Sequence, residues 1–138
     1  MADVRLATTQ LTDGSGSDAQ TIRARLSAST AYLPLPESFF ERIVDESLKL
    51  PARLWRDVFD HLLSHDHAGH LARIASPTLL LWGEQDTLFP REDQDRLART
   101  IPGATLTIYP ETGHCPNWER PERVAADLVK FLSIHQAE

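Results

Sequence analysis

The sequence predicts an α/β protein in which a helical region precedes a parallel βαβα unit. Three observations support this fold class. The apolar run 78–83, bounded by proline and glycine, is typical of a strand covered on both faces. Helical periodicity over 91–101, a strand pattern over 104–109 and a closing helix from Pro121 then follow in alternation. Before residue 76 the chain carries only helix and loop patterns.

The first half is predicted to contain helices and a linker. Residues 13–18 consist of Gly, Ser and Asp and have the composition of a flexible linker. A short helix is predicted over 21–29, apolar side chains recur at helical spacing in 37–50 and 54–63, and a shorter segment follows over 66–74. Pro51 suits the first turn of the helix that it precedes. We therefore divide the chain into a linker and helical region, 1–75, and an α/β region, 76–138.

The second half has clear element boundaries. Glu92 and Asp93 occupy the first turn of the 91–101 helix, where the helix dipole favours acidic side chains. Residues 102–103, Pro-Gly, end that helix. Pro121 opens the last helix, whose apolar residues share one face: Val124, Leu128, Phe131 and Leu132. A strand–helix–strand order in one sheet predicts a parallel pair with a right-handed crossover.

The composition is that of an ordinary soluble domain. The chain has 138 residues, of which 41% are apolar and 25% charged, and its net charge is −6. Scattered acidic residues without basic clusters argue against nucleic-acid and anionic-membrane partners. The single cysteine, Cys115, excludes an intrachain disulfide and fits a reducing compartment. No apolar run resembles a signal peptide or a membrane span, so we expect a cytoplasmic protein.

Two loops follow the two predicted strands, at the sheet edge where catalytic groups gather in open α/β sheets. The first, 83–90, contains Asp86, and the second, 111–116, contains His114. One helix and one strand lie in the 114 − 86 = 28 residues between them, so the two loops are expected side by side. An aspartate beside a histidine fixes the tautomer of the imidazole and stabilises its protonated form.

These motifs closely resemble those of the α/β-hydrolase family. The resemblance is carried by the strand 77–83, by Asp86 three residues after its glycine, and by the Gly-His pair at 113–114 followed by Pro116, Glu119 and Pro121. It implies that Asp86 is the acid and His114 the base of a catalytic triad. It also implies that residues 33–74 form a helical cap and that the last two core strands of the family lie in the second half.

Other residues near these motifs have alternative interpretations. Glu84 is the reserve candidate for the acid, and Asp86 could instead bond only to its own turn. Leu88 and Phe89 are candidates for a hydrophobic substrate pocket, with core packing an equally weighted alternative, and Trp118 could line the pocket mouth. Cys115 adjoins His114, but side chains of adjacent residues point apart, so we interpret it as a small buried cysteine.

Four histidines cluster in the first half, His61, His65, His67 and His70. The first two are four residues apart and can share a helical face, as metal ligands do. No acidic or cysteine ligand lies at a matching spacing, so we predict no metal site. No motif in the chain indicates a cofactor.

The nucleophile of the family is the element that the sequence lacks. It belongs to a Gly-x-Ser-x-Gly turn between a strand and a helix, upstream of the acid and the base. The nearest string, 14–18, lacks the final glycine and follows no apolar strand. The loop that supplies an oxyanion-hole amide is missing as well. We therefore predict that this polypeptide alone does not hydrolyse substrates, although the family implies ester-type or related bonds in a small apolar molecule.

Three hypotheses remain open at the level of sequence. The chain is an incomplete hydrolase, inactive alone; or one half of a split hydrolase whose partner carries the nucleophile; or a non-catalytic binding module that uses the cap helices as an interaction surface. The strand 79–82 expects a neighbour on each side, so an open edge would favour self-association or pairing with a partner chain. A small-molecule substrate is expected only for a chain completed by an N-terminal half.

Overall fold

The computed structural model describes residues 19–66 and 68–135. The predicted linker 13–18 and His67 lie outside the described residues. The described part forms two compact units, one of residues 19–29 and 35–66, the other of residues 30–34 and 68–135. This division differs from the one placed at 75/76 by sequence, because residues 30–34 and 68–75 belong to the second unit.

The first unit consists of three helices: α1 (Ala19–Ser29), α2 (Glu37–Leu48) and α3 (Ala52–Ser64). Helices α1 and α2 pack together, and each contributes one buried aliphatic residue, Ile22 and Val44. Arg23 of α1 pairs with Glu41 of α2 and lies over the ring of Phe40. The two helices are thus held together by buried apolar residues and by an ion pair nearer the surface.

Helix α2 ends two residues before the predicted limit. The predicted range reached Leu50, but the helix ends at Leu48. Leu50 precedes Pro51, and the proline ring disfavours helical backbone in the residue before it. Pro51 is extended (φ −62°, ψ 146°) and caps α3, which starts at Ala52.

The second unit contains the predicted α/β arrangement. Its elements are a 3₁₀ helix (Ala68–Arg73), β1 (Leu79–Gly83), α4 (Arg91–Thr100), β2 (Thr105–Tyr109), α5 (Pro116–Glu119) and α6 (Pro121–His135). The strands pair in parallel, with Leu79 opposite Thr105 and Gly83 opposite Tyr109. Among the described residues each strand has one neighbour, so the sheet has two strands. The predicted α/β fold class is confirmed.

The core of this unit lies between the strands and the flanking helices. Trp82, Ile101, Tyr109 and Val124 are all buried. The hydroxyl of Tyr109 donates to Asp127 Oδ2 (2.5 Å), which ties the end of β2 to α6. Burial and the neighbouring carboxylate raise the pKa of Tyr109 to about 12, so the phenol keeps its proton.

Helix α6 buries only part of its apolar surface. Val124 is buried, whereas four apolar residues nearer its end are 42–64% exposed: Leu128, Val129, Leu132 and Ile134. Exposed apolar residues in a contiguous patch mark interaction surfaces more often than isolated ones do. None of the described helices is long and apolar enough to cross a membrane.

Candidate active site

Asp86 lies in the loop that follows β1. The loop turns sharply, because the backbone N–H of Asp86 donates to Gly83 O (3.0 Å). The carboxylate folds back over the loop, where Oδ1 accepts the backbone N–H groups of Leu88 (2.8 Å) and Phe89 (3.1 Å). These bonds fix the side chain and leave its second oxygen, Oδ2, for another partner.

The loop after β2 carries His114 and is bonded to the Asp86 loop. The backbone N–H of Glu84 donates to Tyr109 O (2.9 Å), and that of Gln85 donates to Thr112 O (2.9 Å). Thr112 is fully buried at this crossing. The parallel pairing of the strands therefore continues into the loops and sets the distance between them.

Asp86 and His114 meet across these loops. His114 Nδ1 lies 2.9 Å from Asp86 Oδ2, and the side chains are 27% and 4% exposed respectively. An ionised carboxylate only accepts hydrogen bonds, so Nδ1 is the donor and carries the proton. In the neutral ring the lone pair is then on Nε2, the atom that a general base uses.

The surroundings of Asp86 keep it ionised. Burial acts to raise its pKa, but the hydrogen bond from His114 and the backbone N–H groups of Phe89 and Leu88 outweigh this effect. The pKa is therefore lowered from its ordinary value of 3.8. At neutral pH the carboxylate is charged and can stabilise a protonated imidazole.

One of the three predicted pocket residues lies against His114. The rings of Phe89 and His114 are 5.3 Å apart between centroids, and Phe89 is 42% exposed. Leu88 is half-buried and bonds to Asp86 through its backbone. Trp118 is half-buried on α5, with its backbone N–H donating to Cys115 O (2.9 Å). For Leu88, Phe89 and Trp118 alike, the pocket role stays a prediction.

Neither alternative to the Asp–His pair is favoured by the geometry. Glu84 is exposed, and Asp86 is the carboxylate that contacts His114. Cys115 is half-buried; burial, followed by the charges of Glu119 and Asp86, raises its pKa to about 11. A thiol with so high a pKa is protonated at neutral pH and is a poor nucleophile.

The sequence was compared with models of known protein families. Residues 3–127 match the model of the alpha/beta hydrolase family. The chain belongs to the alpha/beta hydrolase family. The resemblance found from the sequence is thereby confirmed over most of the chain.

Individual hydrolases support the assignment. The chain is 33% identical over 67 residues to a 2-hydroxy-6-oxononadienedioate/2-hydroxy-6-oxononatrienedioate hydrolase from Burkholderia vietnamiensis, covering 49% of this chain and 23% of that protein. It is 27% identical over 110 residues to a monoacylglycerol lipase from Bos taurus, covering 75% and 32% respectively.

Solved hydrolase structures show the same fold. The chain superposes on an esterase from Exiguobacterium antarcticum with a TM-score of 0.83 at 17% identity, covering 96% of this chain and 48% of the esterase. For a putative aryl esterase from Burkholderia cenocepacia the TM-score is 0.76 at 26% identity, covering 89% and 46%. The chain thus spans less than half the length of each of these four hydrolases.

One residue near the Asp86–His114 contact received no role of its own from the sequence. The carboxylate of Glu119 accepts the backbone N–H of Gly113, next to His114, and the backbone N–H groups of Tyr32 and Leu33. Its place six residues after Gly113 was visible in the motif. Its partners 86 and 87 residues away were not, because no periodicity connects two loops so far apart in sequence.

The histidine cluster does not form a metal site within the described residues. His61 and His65 lie on and just after α3 with ring centroids 4.0 Å apart, and His65 Nδ1 is 2.9 Å from His61 O. Over 19–66 and 68–135, no group of three or more His, Cys, Asp or Glu side chains is arranged to hold a metal ion.

Proposed function

We propose that this chain supplies the acid–base half of a hydrolase catalytic triad, with His114 as general base and Asp86 as the residue that orients it. The observation that carries the proposal is the 2.9 Å contact between His114 Nδ1 and Asp86 Oδ2. The low exposure and lowered pKa of Asp86 support it, because an ionised, desolvated partner acts strongly on an imidazole.

The chemistry follows from the free Nε2 lone pair of His114. When a hydroxyl nucleophile attacks an ester carbonyl, Nε2 takes the hydroxyl proton and Asp86 stabilises the resulting imidazolium. His114 then gives this proton to the leaving alcohol. A water molecule repeats the sequence to release the acid. The nucleophile and the oxyanion-hole donors have to come from outside these 138 residues.

The proposed substrate class is a small apolar ester. The matched proteins include a monoacylglycerol lipase and a putative aryl esterase, which favours esters. The exposed ring of Phe89, beside His114, offers an apolar surface for an acyl or alcohol group. The single cysteine favours a reducing compartment, and we propose the cytoplasm as the place of action.

We further propose that the 138-residue chain alone does not turn over esters. It has no Gly-x-Ser-x-Gly turn, and its one thiol is held protonated. The test is to incubate the purified chain with p-nitrophenyl butyrate and, separately, with a fluorophosphonate that labels activated serines.

The expected result is background hydrolysis, identical for the unmodified chain and for His114→Ala, and no covalent label. A stoichiometric burst of p-nitrophenol that disappears in His114→Ala would contradict the proposal, because it would require a nucleophile within the chain. Mass spectrometry of the labelled peptide would then identify that nucleophile.

The exposed apolar surface of α6 favours a second candidate, in which the chain works as one half of a split hydrolase. In that case the partner chain carries the nucleophile and covers the apolar residues near the end of α6, of which Val129 and Ile134 are the most exposed. A non-catalytic binding module would instead use the cap helices, where Val58 and Leu62 of α3 are 60% and 56% exposed. The two candidates differ in their partner. Only a split hydrolase binds a second chain that contains the Gly-x-Ser-x-Gly turn.

A further inference from the structure

We propose that Glu119 is a positioning residue for His114, an inference that rests on the function proposed above. Its carboxylate anchors the His114 loop to residues 30–33. Oε1 accepts the backbone N–H of Gly113 (2.8 Å), and Oε2 accepts those of Tyr32 (3.0 Å) and Leu33 (2.7 Å). One side chain thus joins two backbone segments that are about eighty residues apart in sequence.

A second contact fixes the other side of His114. The backbone N–H of Cys115 donates to Thr30 O (3.1 Å), in the same segment that Glu119 binds. Both sequence neighbours of His114, Gly113 and Cys115, are therefore held by groups outside their own loop. With both flanking amides fixed, the Cα of His114 has little freedom, and its ring reaches Asp86 from a defined place.

The approach of the two segments is close enough to exclude a side chain at Gly113. A Cβ placed there would lie 2.6 Å from Tyr32 N, 3.0 Å from Glu119 Oε1 and 3.1 Å from Ala31 C. Two of these atoms belong to backbone that cannot move aside. The glycine before His114 is thus needed for the same contact that Glu119 makes.

The number of donors explains why a carboxylate occupies this position. Three N–H groups converge on the side chain, and a carboxylate accepts through both oxygens. A glutamine has the same shape but one accepting oxygen, and its NH₂ group would face an N–H donor. The variant Glu119→Gln therefore loses either the bond to Gly113 or the pair to Tyr32 and Leu33, with little change in volume.

The test compares Glu119→Gln with Glu122→Gln in the isotopically labelled full chain. Glu122 is exposed on the first turn of α6, three residues away, and controls for the loss of one charge. Circular dichroism and thermal unfolding confirm that each variant is folded. The readouts are amide hydrogen exchange at Gly113, Tyr32 and Leu33, and the ring ¹⁵N shifts of His114, which report whether Nδ1 or Nε2 carries the proton.

In Glu119→Gln, exchange should rise about tenfold at one or more of the three amides, the factor that corresponds to about 1.4 kcal/mol. The share of the Nδ1–H tautomer of His114 should fall, because the ring no longer meets Asp86 in a fixed place. Glu122→Gln should leave both readouts unchanged. A purely structural contact would raise exchange without changing the tautomer.

Two results would overturn the inference: unchanged exchange in Glu119→Gln, or raised exchange with an unchanged His114 tautomer. The second leaves the proposed function intact and reduces Glu119 to a structural contact. If the unmodified chain itself lacks the Nδ1–H tautomer, the proposed function fails. In that case the exchange at Gly113 still decides whether Glu119 anchors the loop.

Discussion

The two carboxylate oxygens of Asp86 have different hydrogen-bond partners. Oδ1 holds the loop through the N–H groups of Leu88 and Phe89, and Oδ2 lies against His114. The sequence left two interpretations of this residue, a turn-forming aspartate and a partner of His114. The structure has both contacts at once, because a carboxylate has enough lone pairs for both tasks.

The ionisation of Asp86 should appear in the pH dependence of stability. Its pKa is lower in the folded state, so the carboxylate stabilises the fold above the unfolded pKa of about 3.9. This contribution is lost as the pH falls from about 3.9 through the lower pKa that Asp86 has in the folded state. We expect chemical denaturation to show a steeper loss of stability below about pH 4 in the unmodified chain than in Asp86→Asn.

Asp86→Asn should also lower the free energy of unfolding at pH 7 by about 1–3 kcal/mol, since a buried charged hydrogen bond is replaced by a neutral one. Asp57→Asn, on the exposed surface of α3, is the control for a general charge effect. Parallel pH profiles for the unmodified chain and Asp86→Asn would show that Asp86 is not the ionising group.

The position of Asp86 relative to His114 depends on how closely the ends of β1 and β2, and the loops that follow them, approach each other. A Cβ on Gly83 would overlap the carbonyl oxygens of Gly113 and Thr112. We expect Gly83→Ala to destabilise the chain by about 3 kcal/mol or more, since backbone atoms cannot yield as side chains do.

Gly69→Ala is the matched control, because a Cβ on Gly69 meets no atom within 4 Å. Thermal unfolding of both variants measures the difference. If Gly83→Ala unfolds at the same temperature as Gly69→Ala, the two loops are not packed as described, and the basis for the Asp86–His114 contact is lost.

Local patterns predicted most of the elements that position the site. The apolar run and the proline–glycine boundaries placed β1 and β2 within one residue of their observed starts. Short helix α5 was missed, since four residues, Pro116–Glu119, show no periodicity. The bonds of Glu119 to Tyr32 and Leu33 were also missed, because they join irregular segments whose proximity depends on the whole fold.

At the scale of the whole molecule, the described sheet has two strands, and much of the apolar surface of α6 is exposed. Unpaired strand edges and apolar patches favour association with another chain. We expect the purified chain to form dimers or larger assemblies as its concentration rises, measured by sedimentation velocity.

The double variant Val129→Lys/Leu132→Lys should shift this equilibrium towards the monomer, whereas Ala75→Lys, at an exposed position outside α6, should have a smaller effect. A chain that sediments as a monomer at all concentrations would contradict this expectation and would favour a self-sufficient domain.

We propose above that Asp86 orients His114 as the base of a catalytic triad. The most direct measurement is the ring ¹⁵N spectrum of His114 at neutral pH, in the unmodified chain and in Asp86→Asn. We expect a proton on Nδ1 in the unmodified chain and a shift of that proton to Nε2 when the carboxylate becomes an amide. A spectrum in which the tautomer of His114 is the same in both proteins would contradict it.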